Sequence, residues 1–227
     1  MNKPIIINIE GTDCSGKETQ ANLLLKKLTE EGYKIKKFSF PDYDTPTGKI
    51  VGGPYLGKKH ISEGYFKEGA SNVDPLVASL YYAADRRYAL TKLNAALKSS
   101  NNIILDRYVT SNMAHQGGKI FDKEKRMDLY KLLEKLEYSL LQIPKPDLNI
   151  FLHMPYEYAL QLKKNREEAS DQHEVCEEHL KNAETAYIEI AEMYNFETIT
   201  CVKDNKIRSI NDINEELVYK VKKKLYK

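Results

Sequence analysis

Short apolar strands alternating with long amphipathic helices, and a glycine-rich turn lodged between the first strand and the first helix, predict an α/β fold. The sheet is expected to be parallel and covered by helices on both faces. The chain has 227 residues, 41% of them hydrophobic and 30% charged, the size and balance of a single domain over 1–227 with a sizeable core.

Ile5 to Glu10 is a β-branched run ending at a glycine, the pattern of a buried central strand. From Lys17 to Glu31, Ala21, Leu24, Leu25 and Leu28 recur at helical spacing, and Gly32 is placed to stop the helix. Ile35, Phe38 and Phe40 form a second, more polar strand ended by Pro41. Asp74 reads as a helix N-cap and Pro75 as the first helical residue of a long helix to about Lys98. Its inward face is expected to carry Leu76, Leu80, Ala83 and Leu90. Ile103 to Leu105 is another buried strand, and Leu148, Ile150 and Leu152 a fourth, behind the turn Pro144-Lys145-Pro146-Asp147. Residues 125–141 and 175–194 are patterned as helices and Thr198 to Val202 as a last strand. Ile213, Leu217, Val221 and Leu225 share one face of a terminal helix.

The 35 basic and 33 acidic residues nearly cancel, so the composition gives no reason to expect nucleic acid or an anionic membrane as a partner. The run from Lys220 to Lys227 is read as a solvated helix end. Cys14, Cys176 and Cys201 form no C-x-x-C pair, which argues against a disulfide framework or structural zinc. With no signal-like or membrane-spanning run, a cytoplasmic protein is expected.

The turn itself, Gly11-Thr12-Asp13-Cys14-Ser15-Gly16-Lys17, fits G-x-x-x-x-G-K in the required strand–loop–helix setting. Glycines let backbone N–H groups turn inward on phosphates, the helix offers its positive N-terminus, and Lys17 adds a mobile charge for the β- and γ-phosphates of ATP. The next position, usually a magnesium-binding Ser or Thr, is Glu18, followed by Thr19. Glu18 suits the first helical turn through the dipole, so Mg2+ is expected to rest mainly on ATP phosphates and water, with Asp13 or Asp106 nearby.

A second informative segment is Ile103-Ile104-Leu105-Asp106-Arg107-Tyr108, in which a buried strand delivers an acid and an arginine to the sheet edge where α/β folds bind ligands. Asp106 is suited to orient an acceptor or a metal-bound water, and Arg107 to clamp a monophosphate in a bidentate fork. Taken alone, the pair reads more readily as a surface ion pair than as a site.

It does not stand alone. Phe40-Pro41-Asp42-Tyr43, Ala84-Asp85-Arg86, Asp106-Arg107-Tyr108-Val109-Thr110-Ser111-Asn112 and Pro144-Lys145-Pro146-Asp147 follow the phosphate loop in the order and spacing found in thymidylate kinases. From Ile5 to about Tyr187 the sequence resembles that family. The resemblance implies a P-loop kinase fold with a five-stranded parallel sheet, a lid near 162–174 and a homodimer. It implies transfer of the γ-phosphoryl of ATP to dTMP, giving dTDP and ADP. By matching position, Arg107 holds the acceptor phosphate with help from Tyr43, Tyr82 stacks on thymine, and Arg86 and Asn112 bond its edge. Asp13 is the residue expected to hold the acceptor side in register. His115 falls where relatives often place an aromatic near the sugar, and Asp42, Lys49 and Gln116 lie in matching segments without a specific role. The family's catalytic arginine comes from the phosphate loop, where this chain has Cys14, or from the lid, where Arg166 stands. Two alternatives stay open: a kinase for another pyrimidine (deoxy)nucleoside monophosphate, and a nucleotide-binding regulator without turnover.

Overall fold

The computed structural model describes residues 3–164 and 177–226. Five parallel strands form the central sheet: β1 (Ile6–Gly11), β2 (Ile35–Ser39), β3 (Asn102–Asp106), β4 (Leu148–His153) and β5 (Glu197–Thr200), in the order β2-β3-β1-β4-β5. The expected parallel five-stranded architecture is therefore present. The period-2 alternation of β3 divides the core: Ile103 and Leu105 pack on one face of the sheet, and Ile104 packs on the other. The first face is covered by α3 (Pro75–Lys98), α4 (Val109–Gly117), α5 (Lys123–Glu134) and α7 (Glu177–Met193). The second is covered by α1 (Lys17–Glu30) and α8 (Ile210–Leu225), with α2 (Pro46–Ile50) and α6 (Tyr156–Lys164) as shorter connections.

The punctuation read from the sequence acts as its chemistry requires. The Asp74 carboxylate accepts the amides of Leu76 and Val77 at 2.9 and 3.0 Å, with Pro75 in the first turn of α3. Gly32, at φ 86°, lets Tyr33 N donate to Leu28 O and Gly32 N to Thr29 O, closing the C-terminus of α1. Leu24 and Leu28 of α1 are fully buried, and truncating either to Ala should cost about 2–5 kcal/mol.

Two expectations are corrected. Leu76 and Leu80 do not face inward: they are 42% and 51% exposed, while Ala83 is buried as expected. The buried face of α3 carries Ala78, Ser79, Asp85, Arg86, Ala89 and Leu93, because small and polar residues are what its close polar contacts below demand. The segment 125–141 is helical as patterned, with α5 passing at Lys135–Leu140 into a turn of π-helix. The last strand ends at Thr200, and Val202–Lys203 instead forms the two-residue strand β6, paired antiparallel with β7 (Lys206–Ile207). The chain reverses through Asp204 and Asn205, both left-handed at φ 51° and 58°, which is the hairpin-turn conformation these residue types tolerate.

Register places the site. Ile9 of β1 lies beside Asp106 of β3, and Gly11 beside Leu152 of β4, so the loop after β1 and the segment after β3 emerge together at the carboxyl edge of the sheet.

Candidate active site

The loop after β1 is built on two conformational demands. A side chain at Gly11 would meet Leu152 O and Ser15 Oγ at 2.6 Å, and Gly16 adopts φ 78° before α1 begins at Lys17. Thr12 Oγ1 donates to Met154 O at 2.9 Å, fastening the loop to the end of β4. Lys17 Nζ donates to Thr12 O at 2.7 Å. Burial, together with the Arg107 charge, pushes the Lys17 ammonium down from 10.5 to about 8 despite Asp13, Asp106 and Glu10 nearby. Ser15 Oγ is buried without a hydrogen-bond partner among the described residues.

Facing the loop is a wall organised by Arg107, itself at φ 64°. One arm of its guanidinium pairs with the Asp13 carboxylate. The other, Nη1, donates to Ser111 Oγ at 3.2 Å and meets His115 Nε2 at 3.1 Å. A guanidinium has only donors, so His115 Nε2 accepts and its proton sits on Nδ1, which faces His179 Nε2 at 3.3 Å. Burial, with the charges of Arg107 and Lys17 and the neighbouring His179, pushes His115 down to about 3 against the pull of Asp13, keeping it neutral at physiological pH. Burial alone would raise the Asp13 carboxyl. Arg107, His115 and Lys17 outweigh it and hold Asp13 well below the usual carboxylate range.

Beneath this wall lies Glu10, fully buried at the end of β1. Its Oε1 accepts Tyr108 N at 2.8 Å, Ser111 N at 3.1 Å and Thr110 Oγ1 at 2.9 Å, and its Oε2 accepts the Tyr187 hydroxyl at 3.1 Å. Tyr108 offers α4 no side-chain cap, so Glu10 supplies one from another strand. Sequence reasoning passed over Glu10 as a strand end. The signal was a carboxylate closing an otherwise apolar strand.

The third side rises from α3, α4 and the π-helical turn. Arg86, 2% exposed, donates through Nε and Nη2 to the two Glu137 oxygens at 2.5 and 2.6 Å. Asn112 Nδ2 donates to Ser79 O and Glu137 Oε1, both at 3.2 Å. Asn112 Oδ1 is buried without a partner among the described residues, as are both amide atoms of Gln116 one turn further along α4. Half-buried Tyr82 meets Tyr55 edge-on at 5.7 Å. Asp85, quoted from the sequence in Ala84-Asp85-Arg86 without a role, ties the Phe-Pro segment to α3 by accepting Asp42 N at 2.9 Å, Thr45 Oγ1 at 3.1 Å and Thr47 Oγ1 at 2.8 Å.

Between these walls lies a cleft of about 390 Å³. Of the residues singled out from the sequence, it brings together Asp13, Cys14, Gly16, Lys17, Glu18 and Thr19 of the loop with Tyr43, Tyr82, Arg86, Asp106, Arg107 and Asn112. Gly11, Thr12 and Ser15 support the loop without lining the cleft. Arg166 and the lid from 165 onward lie outside the described residues. Among the described residues, no group of three or more His, Cys, Asp or Glu is placed to hold a metal ion, and no helix is long and apolar enough to cross a membrane.

The family profile for thymidylate kinase matches residues 9–213. A probable thymidylate kinase of Thermococcus gammatolerans is 30% identical over 217 residues, 94% of each chain. The thymidylate kinase of Schizosaccharomyces pombe is 29% identical over 219 residues, covering 96% of this chain and 91% of its own. Among solved structures, a thymidylate kinase from Candida albicans superposes with a TM-score of 0.72 at 24% identity, covering 98% of this chain and 92% of that one, which speaks to the fold. Matched by that profile over most of its length and by such relatives almost end to end, the chain belongs to the thymidylate kinase family.

Proposed function

We propose that the chain transfers the γ-phosphoryl of ATP to dTMP, giving dTDP and ADP. The observation that carries this reading is the joining, in one cleft, of the phosphate loop with a cationic wall and a buried carboxamide-and-arginine corner. ATP phosphates are cradled by residues 11–19, with Lys17 leaving Thr12 O to neutralise charge on the transferring group. The acceptor phosphate lies against Arg107 and Tyr43, with Asp13 fixing the guanidinium fork from the loop side. The thymine ring stacks on Tyr82, and its edge is read by Asn112 and by the part of Arg86 not engaged by Glu137. The unpartnered Asn112 Oδ1 on the cleft lining supports that role, since a bound base edge would satisfy it.

Mg2+ fits this donor set as an ion held chiefly by phosphates and water, with the Asp13, Asp106 and Glu18 carboxylates on the cleft lining. When bound it supplies positive charge to the phosphoryl oxygens. Arg166 is the lid residue proposed to reach the transferring group on closure. The exposed apolar residues Leu76, Val77, Leu80 and Tyr88 support a homodimer built on α3, and the whole is read as a cytoplasmic enzyme.

Thymine and uracil share the edge that the Asn112 carboxamide would read, so dUMP is the second acceptor to consider. A panel of dTMP, dUMP, dCMP and UMP in an ADP-release assay tests the reading. Turnover should be highest with dTMP; preference for another monophosphate, or ATP binding with no ADP release, overturns it.

A further inference from the structure

The π-helical turn Lys135–Leu140 follows α5 directly, and its buried residue is Glu137. A carboxylate this deep needs donors on both oxygens. Oε2 accepts Arg86 Nε, and Oε1 accepts both Arg86 Nη2 and Asn112 Nδ2. Arg86 comes from α3 and Asn112 from α4, so one carboxylate joins the two residues proposed to read the base edge. It also fixes what each of them presents. With Nε and Nη2 engaged, Arg86 keeps Nη1 for a ligand, and that group can only donate. Asn112 Nδ2 faces two acceptors, Glu137 Oε1 and Ser79 O, each at 3.2 Å, so the amide sits with its nitrogen toward them. Asn112 Oδ1, buried with no partner among the described residues, is left to accept. Both Arg86 and Asn112 line the cleft.

We propose that Glu137 is the positioning residue that sets the base preference, by holding Arg86 as a donor to the base O4 and Asn112 as an acceptor from its N3–H. The proposal rests on the kinase reading above. Thymine and uracil carry a carbonyl oxygen next to N3–H, which complements that pair. Cytosine carries the reverse, an amino group next to a bare N3, so it would set donor against donor and acceptor against acceptor. Such a mismatch is costly in a buried corner, where water cannot satisfy the groups left over. Ser79 O orients Asn112 alone, whereas Glu137 ties the amide and the guanidinium into one donor–acceptor unit. A neutral carboxamide in its place could not do this. Whichever way it turned, its NH2 would face a donor: Arg86 Nε on one side, or Arg86 Nη2 and Asn112 Nδ2 on the other. Nothing in the sequence marks Glu137, which lies within a run patterned simply as helix.

The test measures dTMP, dUMP and dCMP binding by titration calorimetry on wild type and Glu137→Gln, with ATP as the control and thermal unfolding to confirm folding. Wild type should favour dTMP and dUMP over dCMP. In Glu137→Gln, dTMP and dUMP should weaken together while dCMP changes little. The preference for dTMP over dCMP should fall at least about 10-fold, with ATP affinity within about twofold of wild type. If that variant does not fold, Glu137→Asp carries the same test, since it keeps the charge but is one methylene too short to span Arg86 and Asn112. A carboxylate that merely supports the pocket would weaken all three monophosphates alike. That result, or an unchanged preference, overturns the proposal and leaves the dTMP reading standing. Wild type favouring dCMP, or binding no nucleoside monophosphate, overturns both.

Discussion

Lys17 should make ATP binding proton-coupled. In the free protein its ammonium is pushed from 10.5 to about 8, chiefly by burial. That displacement corresponds to about 3 kcal/mol of penalty on the charged form. The sign follows from linkage. Below pH 8 both folded and unfolded chains carry the proton; between about 8 and 10.5 the unfolded chain holds more, so this residue's contribution to stability rises with pH across that window. Bound triphosphate reverses the balance by favouring the ammonium. At pH 9 only about a tenth of the free protein should carry the Lys17 proton, so ATP should bind about tenfold more weakly than at pH 7, with uptake of about 0.9 proton. Calorimetric titrations at each pH, in two buffers of different ionisation enthalpy, read both numbers. Lys17→Ala should bind ATP weakly and without the pH 8–10 uptake. An ATP affinity flat from pH 7 to 9 with no proton uptake in wild type would refute the reasoning.

Other consequences are as direct. Glu137→Ala strands Arg86 in the interior and should cost about 3–5 kcal/mol of stability by chemical denaturation, with the acceptor KM rising more than the ATP KM. Leu80→Glu on the exposed face of α3 should shift sedimentation velocity from dimer to monomer; an unchanged profile would remove that face from the interface. Arg166→Ala should lower kcat by at least about 100-fold with small changes in both KM values, since its contact is proposed to form mainly in the transition state. Near-normal turnover would move the role to Lys163 or Lys164.

The features legible in the sequence were those carried by local chemistry. The Asp74 cap, the Gly32 stop and the glycine loop each need particular residue types at fixed offsets, and each formed where expected. Pattern reasoning failed where a helix serves two masters. On α3 the leucines suggested an inward face, but Asp85 and Arg86 were claimed by buried partners from distant segments, turning Leu76 and Leu80 outward. The supporting carboxylates were invisible for the same reason. Glu10 and Tyr108 lie far apart in the chain, as do Arg86 and Glu137, and only the folded register shows that one carboxylate caps a helix and the other holds an arginine.

The burial of Glu10 separates two properties that many enzymes leave entangled. Four of the bonds it accepts fix the first turn of α4 and Tyr187 of α7 to the strand that ends in the phosphate loop. Asn112, the residue of α4 proposed to face the base, comes after that anchor. On the proposed reading, mutation there should rewrite which base is accepted without disturbing the spacing between donor and acceptor phosphates. A single buried carboxylate would then divide the two properties: selectivity would vary on one side of it, and the phosphoryl-transfer geometry would be inherited on the other.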